Sequence, residues 1–237
     1  IHLIEESGKP SDVLDAQGYY SFNEHVFMAN IQSEIYGRRY TYALLMLLEY
    51  KYKDKSEWKD FGTTSIEHIL PQNPKTTSQW VKDFSEEQRS YYTHRIGNLC
   101  LIGRRKNSSL GNLDYQEKLK KYFEKNIGSF ASSQKIYQTY PNAWTPETVK
   151  ENQERVIQDL MEIFGIKSPS TIIDDSTYME QQRSVYPNAY QPWTESDDER
   201  LVALYNEGKS ISELAQMFLR NRGAIRSRIH KLTGERF

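Results

Sequence analysis

The fold turns on S-I-E-H-I-L-P-Q (Ser65–Gln72), H-R-I-G-N-L-C-L-I-G (His94–Gly103) and R-R-K-N-S-S (Arg104–Ser109). Glu67 and His68 lie in an alternating, strand-like run that Pro71 stops. Asn98 sits at the head of a second such run, after Gly97, and Asn107 stands where the chain turns helical. The order is strand, strand, helix. A simple hairpin loop needs about 2–5 residues. The longer interval Asn73–Thr93, with Trp80, Val81, Phe84, Tyr91 and Tyr92 among polar positions, therefore predicts a helical insertion between the strands.

Upstream, Val26, Phe27, Ile31 and Ile35 recur at helical spacing behind Ser21, an expected N-cap, with Gly37 as the expected stop. A second helix runs from about Arg39 to Tyr52 on Leu44, Leu45, Leu47 and Leu48. Downstream, Tyr115, Leu119, Tyr122 and Phe123 give one more helix, with Lys118 and Lys121 on its other faces. The run Trp144-Thr145-Pro146-Glu147 predicts a helix with Thr as N-cap and Pro at its first position, ended by Gly165. From 166 to 192 Ser, Asp, Gln and Pro dominate, and the segment reads as a linker. Tyr-Pro-Asn-Ala occurs at 140–143 and again at 186–189, each time ahead of a Trp-Thr. The residues beyond each Trp-Thr do not repeat, so the pair reads as shared helix-entry chemistry.

The last block, 193–237, is punctuated for three short helices. Thr194 caps the first and Gly208 closes it; Ser210 with Glu213 forms a capping-box pair; Asn221 caps the third. Ile225, Ile229 and Leu232 form that helix's apolar stripe, which leaves Arg222, Arg226 and His230 on the other side. A basic third helix is the pattern of a helix-turn-helix module.

Composition narrows the class. No apolar run approaches the roughly 20 residues of a membrane helix, and with no basic-then-apolar stretch and small-residue cleavage site in the sequence, secretion is not the expectation. The one cysteine, Cys100, excludes an internal disulfide and a Cys-rich zinc site, which fits a reducing cytoplasm. Net charge is −1, but base is concentrated locally. Arg104, Arg105, Lys106, Lys118, Lys120, Lys121 and Lys125 face three acids within 104–125. Arg220, Arg222, Arg226, Arg228, Lys231 and Arg236 face Glu235 alone within 219–237. The chain begins with Ile1, as expected of a fragment of something longer.

The strand–strand–helix order, with an acid–His pair, an Asn on the second strand and an Asn entering the helix, resembles the ββα-metal (HNH, His-Me finger) nucleases. Hydrolysis of a phosphodiester needs an activated water and a group that absorbs charge. An imidazole with a pKa of about 6.5 suits the first task, and a hard cation held by oxygens suits the second. By the resemblance His68 is the general base, Asn98 orients its imidazole, and Glu67 with Asn107 holds one Mg²⁺ or Mn²⁺. Neighbours on a strand point to opposite faces, so Glu67 and His68 meet at one ion only if the strand bends. Arg95, Lys106 or Lys118 would steady the phosphate, Lys118 first. Arg104, Arg105 and Lys106 would touch DNA beside the site; Arg222, Arg226, Arg228, His230 and Lys231 would touch it from the C-terminal block.

The wider pattern is more specific. I-E-H-I-L-P-Q, H-R-I-G-N-L-x-L and K-N-S-S-L-G-N, with Lys118, Trp144-Thr145 and Arg155 beyond them, resembles the C-terminal nuclease domain of GmrSD-type modification-dependent restriction enzymes, SspE-like proteins included. Cys100 stands where many relatives carry Thr. The resemblance spans roughly Arg39 to Gly165 and implies a ParB-like nucleotide-hydrolysing domain or subunit as partner, absent from this sequence. The C-terminal block resembles Myb-like and homeodomain-like modules, W-T-x-x-x-D-x-x-L…G-x-S-x-x-x-L-A, with Leu219 where many have a turn glycine.

The expected fold is mainly α with a small ββα-metal core: 1–165 contains the nuclease (core about 63–127), 166–192 links, and 193–237 is a helix-turn-helix. The expected function is metal-dependent cleavage of DNA, modified DNA included, as the effector of a restriction or phage-defence system in the cytoplasm, with no membrane partner. A non-catalytic DNA-binding protein on a nuclease scaffold, and an RNA-cleaving enzyme of the same chemistry, are the alternatives.

Overall fold

The computed structural model describes residues 23–53, 64–103, 110–123, 130–167 and 175–235. Helix α1 (Glu24–Ile31) is capped by Asn23, whose side-chain oxygen accepts from Val26 N at 3.0 Å. The expected cap, Ser21, lies outside the described residues. The helix ends at Ile31, and Gly37 serves a later turn at φ +81°, in the left-handed region that favours glycine. Helix α2 (Thr41–Tyr52) buries Leu44, Leu45 and Leu48.

Strands β1 (Thr64–His68) and β2 (Leu99–Gly103) pair antiparallel, with Glu67 opposite Cys100 and His68 opposite Leu99. Between them stand the two helices of the expected insertion, α3 (Gln79–Asp83) and α4 (Glu86–Tyr92), then a 3₁₀ turn at Ile96–Asn98. Beyond the hairpin come α5 (Tyr115–Phe123), α6 (Ala131–Thr139) and α7 (Pro146–Phe164). Thr145 caps α7 through a capping box with Thr148, and Gly165, at φ +70°, ends it. Helix α6 has no side-chain cap from its own start. Instead Glu49 of α2 accepts from Ala131 N, Ser132 N and Ser132 Oγ at 2.8–2.9 Å, and so holds the positive end of α6.

Strand alternation divides the interior in two. Leu99 and Leu101 point into a core built with α1, α2 and α7, through Ile31, Leu45, Val156 and Leu160. Cys100 and Ile102 point into an aromatic core with Trp80, Tyr91, Tyr115, Tyr137 and Trp144. The hairpin is thus covered on both faces.

Where composition reads as a linker, the structure places a helix, α8 (Asp175–Val185), and a docked segment. Ala189 and Tyr190 enter the aromatic core, the Tyr190 ring meets Tyr91 edge-on at 5.2 Å, and Arg183 pairs with Glu87 of α4. Apolar burial holds this segment despite its polar composition.

Helices α9 (Glu195–Asn206), α10 (Ile211–Met217) and α11 (Arg222–Thr233) close around Leu201, Leu214, Phe218, Ile225 and Ile229. Their caps are the expected Thr194, Ser210 and Asn221. Leu219 adopts φ +53° in the turn before α11, a conformation that costs a side-chain-bearing residue roughly 1–2 kcal/mol. Asn188 of the docked segment braces that turn, its backbone N donating to Leu219 O and its Nδ2 to Phe218 O. Arg220 donates to Gln191 O and Pro192 O from the same turn.

Candidate active site

His68 ends β1 with 6% of its surface exposed. Its Nε2 lies 3.3 Å from His94 Nδ1, and its Nδ1 lies 3.3 Å from Gln72 Nε2. The Tyr36 ring meets the His68 ring edge-on at 4.2 Å and stacks on His94 at 5.4 Å. His94 is held from behind: its carbonyl accepts from Ile35 N and Tyr36 N at 3.0 and 3.2 Å. Burial, then the neighbouring His94 and Lys118, pushes the His68 imidazole well below its usual pKa. Burial lowers His94 to about 4. Both rings are therefore neutral near pH 7.

The adjacent Glu67 faces the other way. Register puts it beside Cys100 and His68 beside Leu99, and those two residues belong to opposite cores. Lys118 of α5 donates to Glu67 Oε1 at 2.6 Å and to the His68 carbonyl at 2.7 Å, with no surface exposed. The Glu67 carboxyl is raised by burial, an effect the lysine opposes. Lys118, the sequence candidate for the phosphate, is turned inward onto the strand.

Asn98 uses all its bonding capacity. It accepts from Leu70 N at 2.8 Å and Trp144 Nε1 at 3.1 Å, and donates to Leu70 O at 2.9 Å and Thr93 O at 3.0 Å. These bonds tie the exit of β1 to the entry of β2, and none of them goes to His68. Arg95 is also internal, 2% exposed, donating to Gln32 O at 2.6 Å with its guanidinium 3.7 Å from the centre of the Tyr91 ring. Gly97 packs on α7, donating to Gln153 Oε1 and accepting from Asn152 Nδ2, each at 2.6 Å. A Cβ there would stand 2.6 Å from Gln153 Cα, so no larger residue fits.

Asn107, Arg104, Arg105 and Lys106 lie outside the described residues. Among the described residues no three His, Cys, Asp or Glu side chains converge as metal ligands. With Glu67 matched by Lys118, the described donors alone do not fit a divalent cation. In the C-terminal module Arg222, Arg226, His230 and Lys231 are exposed on α11. Arg228 differs: its Nε and Nη2 grip both carboxylate oxygens of Asp198 at 2.6 and 2.5 Å.

Periodicity could not reveal Tyr36, because its role depends on a turn that meets the hairpin from outside. Gln72 and His94 stand within the motif segments, and their spacing from His68 in sequence gives no hint of contact.

Fold and site together define a mainly helical protein with a largely buried histidine pair, His68 and the half-buried His94, at the tip of a two-stranded, helix-covered hairpin. The chain belongs to the family of GmrSD restriction endonucleases, C-terminal domain, whose family model matches residues 23–159. That span takes in the whole hairpin and most of α7, and it stops short of α8 and the three-helix module. The family is one of restriction endonucleases, which makes this a nuclease domain with DNA as its substrate class. No curated protein and no solved structure gives a significant match. Among the described residues no helix is long and apolar enough to cross a membrane.

Proposed function

We propose that this chain hydrolyses DNA phosphodiester bonds with His68 as general base, as an HNH-type effector of a restriction or phage-defence system. The observation that carries the reading is His68 itself: a neutral imidazole at the tip of the hairpin, with Nδ1 toward the exposed Gln72. Nδ1 takes a proton from water, the water oxygen bonds to phosphorus, one phosphorus–oxygen ester bond breaks, and the departing oxygen takes a proton from solvent.

Lys118 then serves as the internal counter-ion of Glu67, fixing the strand that carries His68. Mg²⁺ or Mn²⁺ belongs to the reading as the supplied cofactor, with Glu67 and Asn107 as its expected donors. Lys118 engages the Glu67 carboxylate, so that donor is already paired. The exposed Arg222, Arg226, His230 and Lys231 of α11 give the three-helix module a DNA-facing surface in the manner of a helix-turn-helix. A ParB-like nucleotide-hydrolysing partner and a cytoplasmic setting complete the reading.

The test incubates the purified chain with supercoiled plasmid and Mg²⁺ or Mn²⁺, beside His68→Ala and beside EDTA. Nicking by the wild type that both controls abolish supports the assignment. Equal nicking by wild type and His68→Ala removes it.

A further inference from the structure

Asn98 is the residue to which the resemblance gives the task of orienting the His68 imidazole, and its four bonds all go elsewhere. His68 nevertheless has a neighbour at each nitrogen, and only one of the two is fixed. A neutral imidazole carries one N–H and one lone pair, so the identity of those neighbours decides which nitrogen can act as a base. Gln72, on the Nδ1 side, is exposed and neutral and can give way to water. His94, on the Nε2 side, cannot leave: two backbone N–H groups hold its carbonyl, and Tyr36 is stacked on its ring.

We propose that His94 is the positioning residue of this site. Its Nδ1 accepts the N–H of His68 Nε2, which confines the lone pair of His68 to Nδ1, on the Gln72 side where a water can enter. His94 then carries its own proton on Nε2, and the amide of Gln72 donates to His68 Nδ1 until water replaces it. The separation of 3.3 Å is long for such a bond, as catalytic hydrogen bonds often are before substrate draws them in. Tyr36 acts as the clamp, touching both rings and keeping them nearly perpendicular, at 82°. The same relation between a base and its orienting acceptor underlies catalytic triads, where the third group sets tautomer and direction without touching substrate.

The inference rests on the hydrolase reading, so its test has one arm that does not need catalysis. In the full chain labelled with ¹⁵N-histidine, His68 is assigned by the signals lost in His68→Gln. The proposal expects wild-type His68 to be protonated on Nε2 and bare on Nδ1. His94→Asn, whose amide oxygen can stand near the position of Nδ1, is expected to keep that tautomer. His94→Leu is expected to show a mixture of the two. Where plasmid nicking is measurable, His94→Leu should lower kcat on the order of 10²-fold at nearly unchanged KM. His94→Asn should recover most of that loss.

A wild-type His68 protonated on Nδ1, or an unchanged tautomer in His94→Leu, overturns the proposal, as does full kcat in His94→Leu. Nicking by His68→Ala equal to wild type defeats the hydrolase reading instead, and the tautomer measurement still decides the role of His94. Circular dichroism of each variant separates a lost orientation from a lost fold.

Discussion

Lys118 Nζ lies 2.6 Å from Glu67 Oε1, with the lysine side chain wholly buried and the glutamate side chain 7% exposed. Such a pair is strong only while both members are present, since removing one leaves a buried charge without a partner. Lys118→Met is expected to destabilise the domain by about 3–5 kcal/mol, and the double variant Glu67→Gln/Lys118→Met by clearly less. Urea denaturation of wild type, Glu67→Gln, Lys118→Met and the double variant checks this. Additive losses would mean that the two groups do not depend on each other.

Asn98 joins Leu70, Thr93 and Trp144 through four hydrogen bonds in a position with no exposed surface. Asn98→Asp keeps the shape but turns a carboxylate oxygen toward the Leu70 and Thr93 carbonyls in place of the amide N–H groups. It is expected to cost at least about 3 kcal/mol, or roughly 6–12 °C in thermal midpoint. A variant with wild-type stability and lost nicking would return Asn98 to an orienting role.

Gly97 is required for space. Its added Cβ would lie within 2.6–2.8 Å of Gln153 N, Cα and Cβ, and two of those atoms belong to the backbone of a long helix. Gly97→Ala should therefore cost more than the roughly 1–3 kcal/mol of ordinary overpacking. A thermal melt within a degree or two of wild type would show that α7 can move away.

These variants mark what the sequence made legible. Pro71, Gly97 and Gly165, together with the caps at Thr145, Thr194, Ser210 and Asn221, are local signals, and they place the hairpin and its helices correctly. The alternation rule also anticipates that Glu67 and His68 diverge. Pairing over long sequence separation is not local: a lysine on an amphipathic helix looks the same whether it meets phosphate or Glu67. Arg95 and Arg228 were hidden for the same reason, since their partners, Gln32 and Asp198, are set by tertiary packing. The 166–192 segment misleads through composition, because a few apolar residues, Ala189 and Tyr190 in the aromatic core with Met179 and Tyr186 packed against it, supply the burial that anchors a mostly polar stretch.

Stability should depend on pH through the histidine pair. Unfolded histidine takes a proton near pH 6.5, whereas folded His94 does so only at about 4, and His68 is lowered as well. The unfolded state thus binds more protons over this range, so stability is full above about pH 6.5 and falls as pH drops toward 4. Glu67 and Glu34, whose carboxyls burial raises, act in the opposite sense as pH approaches the carboxylate range. Denaturation midpoints between pH 7 and 5 should fall for wild type and fall less for His94→Asn. Parallel slopes would mean that His94 carries no proton linkage.

On α11 two arginines, Arg226 and Arg228, should behave differently. Arg226 is exposed, whereas Arg228 has 13% of its side chain exposed and grips Asp198 of α9 through two bonds beside Trp193. If α11 is the DNA-facing helix, each phosphate contact contributes close to one released counterion. Arg226→Ala should then reduce the slope of log affinity against log salt by about 0.9. It should leave the thermal midpoint nearly unchanged. Arg228→Ala should lower the midpoint, because Asp198 loses its partner. In its folded form it should retain the wild-type salt slope. Fluorescence anisotropy with labelled duplex DNA at several salt concentrations, beside thermal melts, measures both quantities. An unchanged slope in Arg226→Ala would remove that residue from the DNA contact.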